Sequence, residues 1–170
     1  MARMPLFSER AELDGPRLAV FDSVVATRGS MIRPYEVLLH APGVAGPAAE
    51  LGQQIRYQGS LADHARELAI LTVSVIAECQ FEWDQHVEIA RQAGVSESAL
   101  RHLRGSDDAL TEAEQLIVEF VRELVHSKTV TDERFTAAQR ALGNECVVEL
   151  TALVGYYMML AYVMNVADAS

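Results

Sequence analysis

A chain of 170 residues, half of them hydrophobic and 22% charged, has the make-up of one globular domain with room for a proper core. Its 24 acidic against 14 basic residues give a formal net charge of −10, which excludes a general nucleic-acid or anionic-membrane binder, since both need basic patches. The two cysteines, Cys79 and Cys146, make neither a disulfide framework nor a zinc-type spacing, and the N-terminus MARMPLFSER has no apolar signal region, so a reducing cytoplasm is the expected compartment.

Aromatic residues are few, at 6%, while Ala, Leu, Val and Glu are frequent, which favours helices over strands. Residues 1–33 hold Gly15-Pro16 and Gly29 around a short apolar patch at Leu18 to Val25. They read as an irregular N-terminal arm with one short helix, ahead of a single helical domain over 34–170. Pro34 to His40 predicts a short helix stopped by Ala41-Pro42-Gly43. Pro47 suits the first turn of the next helix, with Leu51 and Ile55 buried and an end near Gly59. A long helix then carries Glu67, and its stretch Leu68 to Ala77 holds no charge. A helix apolar on nearly all sides belongs in the middle of a bundle.

After a break near Glu78, the spacing predicts a helix over Cys79 to Ala93, with Gly94 just past its end. Ser96 caps a short helix through Leu103, and Thr111-Glu112-Ala113-Glu114 has the form of a capping box. That box opens a helix with Leu116, Ile117, Phe120, Val121, Leu124 and Val125 on one face. Thr131 caps a further helix, with Phe135, Ala138 and Leu142 inward and Gly143 as its stop, and a last one runs from Asn144 to Val166. Leu150 to Ala167 is uncharged and near the lower length limit for a membrane span, but its tyrosines, Asn165 and lack of basic flanks point to a buried helix instead. No strand or hairpin signal appears. About eight helices with short connections make an all-α bundle.

The chemistry concentrates between Glu67 and His86. At about 100° per residue, Cys79, Glu82 and His86 fall within an arc of ~60° on one helix. Trp83, Ala90 and Ala93 share that side, while Asp84, Gln85, Glu88, Arg91 and Gln92 lie opposite. Ionisable groups on an apolar face cost free energy unless paired. Glu82 and His86, one turn apart, fit either a structural hydrogen bond or a carboxylate that orients a general acid/base imidazole, and spacing alone leaves both open. Glu67 is either an exposed acid near a helix start or a third member of the cluster. Cys79 is either a small buried side chain or a thiolate favoured near a helix start. Glu82-x-x-x-His86 offers two kinds of metal ligand, and Glu67 a third, but no second histidine cluster joins them, so no metal site is expected.

The run Arg66-Glu67-Leu68-Ala69-Ile70-Leu71, followed by Gln80-Phe81-Glu82-Trp83, His86 and Ala93-Gly94-Val95-Ser96, resembles the carboxymuconolactone decarboxylase family, which shares its fold with alkylhydroperoxidase D. The resemblance extends over roughly residues 35 to 167. It implies an all-helical, alkylhydroperoxidase D-like fold, a homo-oligomer of three or six subunits, and a small-molecule substrate. In the peroxidase branch the motif is a glutamate, eleven residues, then Cys-x-x-Cys-x-x-x-His. Laid on this chain, the glutamate falls on Glu67, the first cysteine on Cys79 and the histidine on His86, while Glu82 stands where the second, peroxidatic cysteine would be. A dithiol cycle within the motif is therefore impossible, and the chain looks like the decarboxylase-type branch without the cysteine pair.

The resemblance implies a cofactor-free lyase acting on a small carboxylated lactone or oxo acid. His86 would protonate the carbon that loses CO₂, Glu82 and Glu67 would set its tautomer and charge, and Cys79 would stand beside them. Arg33, Arg56 and Arg66 are the candidate partners for the substrate carboxylate. A thiol-dependent hydroperoxidase using Cys79, with Cys146 as a distant partner, is the alternative enzyme. A non-catalytic ligand-binding oligomer on the same scaffold is the third reading.

Overall fold

The uncharged run of the sequence becomes the central helix of the computed structural model, which describes residues 2–169. Those residues form α1 Gly15–Arg28, α2 Arg33–Leu38, α3 Pro42–Gln53, α4 Asp63–Ile76, α5 Gln80–Gln92, α6 Glu97–Leu103, α7 Glu112–Ser127 and α8 Asp132–Ala167, with no strand among the described residues. The all-α expectation holds. Residue contacts divide the chain into two units, one of Met1–Gln58 with Met159–Ser170, the other Gly59–Met158.

In the first unit, α1 runs a full 14 residues where the sequence promised an irregular arm with one short helix. Its ends explain the length. Asp14 is extended, Pro16 sits in the first turn with its φ already helical, and Gly29 closes the helix in the left-handed region at φ 82°. Its buried apolar face is only Phe21 and Val24, too thin to register as a periodic stripe. The next helix, α3, starts at Pro42 and takes Pro47 into its interior, so the Ala41-Pro42-Gly43 turn begins a helix as well as ending one. Its buried face is Ala45, Ala48, Ala49 and Gly52. These small side chains let α3 pack closely on α1, and Leu51, expected to be buried, is 47% exposed. Ile55 is buried as expected.

The second unit is built around α4, which packs most extensively on α5 and α7. Leu68, Ala69, Ile70, Leu71 and Val73 are completely or almost completely buried. Its polar residues Thr72 and Ser74 donate to the carbonyls of Leu68 and Leu71 at 2.7 and 2.8 Å, so neither hydroxyl leaves the helix for a partner. The Ser96 hydroxyl caps α6 by accepting from Ala99 N–H. The Thr111–Glu114 capping box of α7 forms as predicted. The buried Glu114 carboxylate accepts from the Thr111 N–H and hydroxyl and also from Ser96 N–H at 3.0 Å, tying the start of α7 to the start of α6. Burial alone would raise its pKa, but these hydrogen bonds outweigh burial and bring it down to about 2.

Gly143 interrupts α8 with φ 81° and ψ 165°, so the two predicted helices follow one another directly across a glycine kink. Ala138 is buried as expected, whereas Phe135 is 42% exposed. By length and composition α8 could cross a membrane, and 44% of its most apolar window is buried. At the other end of this unit, Glu149 receives the N–H groups of Ser60 and Leu61 at 2.7–2.9 Å. A Cβ on Gly59 would lie 3.1 Å from that carboxylate, so glycine fits the close approach.

Candidate active site

Helix α4 opens with Asp63 in its first turn, where an acid suits the helix dipole, and sets Glu67 one turn on. The sequence left Glu67 open between an exposed acid and a buried one; it is fully buried. At the far end of α4, Glu78 takes the left-handed conformation at φ 52°, and Cys79 N–H returns to the Ser74 carbonyl at 2.9 Å. This tight connection starts α5 with Cys79 at the N-cap. Cys79, Glu82, Trp83, His86 and Ala90 then line its buried side. Asp84, Gln85, Glu88, Arg91 and Gln92 are exposed, as the helical arc required.

Nδ1–H of His86 donates to Glu67 Oε2 at 2.6 Å, a buried, charge-assisted contact between residues 19 apart in the chain. The other ring nitrogen, Nε2, lies 3.7 Å from Glu82 Oε2. Side-chain exposure of all three groups is 5% or less. The edge of the Tyr157 ring meets His86 in a T-shaped contact, centroids 5.4 Å apart, and Tyr156 packs against Tyr157 in the same way at 5.3 Å. Glu67 has a further neighbour in Arg66, whose Nε lies 3.3 Å from Oε1 while its other end reaches Asp63 at 2.9 Å. Arg66, a candidate for holding a substrate carboxylate, is thus engaged by two carboxylates of the protein itself. Arg33, a second candidate, pairs with Glu36 at 3.3 Å.

Residues 42–120 match the model of the carboxymuconolactone decarboxylase family and include Glu67, Cys79, Glu82 and His86. That segment is similar to the family. No curated protein matches the chain. Tyr157 falls outside the segment, on α8.

Cys79, inside the matched segment, and Cys146, beyond its end, are both free thiols. Cys79 is buried and lines a cleft of about 250 Å³ together with Glu78, Gln80, Trp83 and Arg104. Arg104 lies over the Trp83 ring, 4.0 Å from its centroid, and donates to Gln80 Oε1 at 3.1 Å. The sequence marked the tyrosines of the last helix only as a sign of burial, and it gave no signal for Arg104. Burial pushes the Cys146 thiol up, and Glu149 and Glu145 add to the shift.

Proposed function

We propose that this protein is a cofactor-free lyase that removes CO₂ from a small carboxylated lactone or oxo acid by acid–base catalysis. The observation that carries this reading is a buried imidazole with a carboxylate at each ring nitrogen, Glu67 at 2.6 Å from Nδ1 and Glu82 at 3.7 Å from Nε2. Loss of CO₂ leaves the bonding electron pair on the substrate carbon, spread into the adjacent carbonyl as an enolate. His86 Nε2–H gives that carbon a proton, and solvent returns one to the ring, so substrate and one proton become product and CO₂. Glu67 fixes the ring orientation and leaves Nε2 as the working nitrogen. A carboxylate beside an imidazole favours its protonated form, which is the donor this step needs. A positioned proton donor contributes roughly 10²–10⁴-fold in rate.

The same reading has the enzyme working as a homo-oligomer of three or six subunits in the cytoplasm. Exposed apolar side chains of the second unit, Ile76, Ile89, Phe135 and Val148, support subunit contact. Light scattering on the purified protein measures the subunit number. Incubation with carboxymuconolactone tests the reaction: CO₂ is released by the wild type, and His86→Ala is slower by about a hundredfold or more. Full activity in His86→Ala would sink the mechanism.

A further inference from the structure

The cleft beside Cys79 has the features of a binding site for an organic anion. Arg66, Arg91, Arg101 and Arg134 of the same unit each hold a carboxylate at ion-pair distance. Arg104 holds none among the described residues; its contacts are the Trp83 ring face and Gln80. A guanidinium carries five N–H donors in a planar fork that matches a carboxylate, and stacking on an indole leaves its edge open to accept one. The only acid lining the cleft is Glu78, which is exposed and whose backbone is held in the left-handed turn. Its charge repels an anion, so a bound carboxylate is directed to the Arg104 end.

We propose that this cleft binds a small organic acid, with the Arg104 guanidinium gripping a carboxylate that the ligand keeps. Drug-sized ligands fill pockets of about 300–1,000 Å³, so a cleft of about 250 Å³ sets a small molecule as its limit. Trp83 and His86 are three residues apart on the buried side of α5, about 4.5 Å of helix rise. This role rests on the decarboxylation reading and extends it: the substrate is one that carries a second acidic group. Arg104 neutralises and retains one, and the other leaves as CO₂ beside His86. A carboxylate in a fork of charge-assisted hydrogen bonds is stabilised against loss, which separates the two.

Trp83 is the one tryptophan of the chain, so its fluorescence reports on this cleft directly. Titration with adipate and with its dimethyl ester is the test. The diacid shifts Trp83 emission saturably and the ester does not. Arg104→Met weakens the diacid by about tenfold or more, and Arg104→Lys falls between because it keeps the charge without the fork. Glu78→Gln tightens binding. Equal response to acid and ester, full affinity in Arg104→Met, or no saturable shift at tens of millimolar overturns the proposal. The acid–ester comparison on the wild type decides even if Arg104→Met fails to fold. Wild type that binds adipate but releases no CO₂ from carboxymuconolactone removes the reaction and leaves the cleft. CO₂ release unaffected in Arg104→Met removes the cleft and leaves the reaction.

Discussion

Glu67 and His86 meet at 2.6 Å inside the protein, from two helices joined by one tight turn. Removing either side chain takes from the other its short buried contact. Breaking a buried charged pair costs about 3–5 kcal/mol, and more conservative changes cost less. Glu67→Ala is therefore expected to lower the unfolding free energy by an amount in that range, and Glu67→Gln by less. Urea unfolding of both, with His86→Ala and the double variant, gives the coupling between the two side chains. Additive losses would show that they do not act as a pair.

Glu114 sets part of the acid sensitivity. Its folded pKa of about 2 lies below the ordinary 4.5, so between those values the unfolded chain binds the proton. The stabilisation is complete above the ordinary value and is lost as pH falls from there towards about 2. Glu114→Gln is expected to cost roughly 1.5–3 kcal/mol at neutral pH, the range for hydrogen bonds to a charged group. It also flattens the pH dependence across this window. Denaturation curves taken through the acid range for both proteins would contradict this if the two slopes were the same.

The two thiols differ in access. Cys79 is buried and Cys146 is partly exposed, with its thiol held up by burial and by Glu149 and Glu145. An aromatic disulfide reagent added to the native protein is expected to modify Cys146 first and slowly. Its rate should climb by about tenfold per pH unit below the thiol pKa, because only the thiolate reacts. Cys146→Ser removes this phase. A fast phase that survives in Cys146→Ser and disappears in Cys79→Ser, with hydroperoxide consumed in parallel, would favour the thiol peroxidase.

The glycines of α8 offer opposite outcomes. Gly143 holds φ 81° and ψ 165°, a region essentially closed to other residues, although no atom lies within 4 Å of the position its Cβ would take. Gly143→Ala thus costs roughly 1–3 kcal/mol through backbone strain alone. Gly155 is helical and its Cβ would also meet nothing within 4 Å. Gly155→Ala is expected to stabilise by roughly 0.5–1 kcal/mol. Thermal denaturation of the two variants reads both signs.

Local chemistry made much of the second unit legible. The caps at Ser96 and Thr111 and the turns at Gly94 and Gly143 act through neighbours a few residues away, so short windows of sequence contain them; only the added bond from Ser96 N–H to Glu114 reaches further. The uncharged stretch from Leu68 onward marked a central helix because no face of it suits water. Helical spacing likewise brought Glu82 and His86 to one face. Glu67 was different: its burial depends on α5 bringing His86 to it, which no window within α4 contains. Arg104 and Tyr157 reach the region from elements distant in sequence, and a single side chain there leaves no periodic trace. In the first unit, α3 hides its core in alanines and a glycine, so its buried side has no apolar stripe to read.

The Glu149 carboxylate, gripping the N–H groups of Ser60 and Leu61, joins two ends of the second unit across 88 and 89 residues of chain. Closing so long a loop before the rest has folded carries an entropic cost that local contacts escape, so this contact is expected to form late. Its influence then falls on how long the native state lasts. Stopped-flow measurements on Glu149→Gln should show faster unfolding with refolding almost unchanged; slowed refolding would place the clasp in the folding nucleus instead.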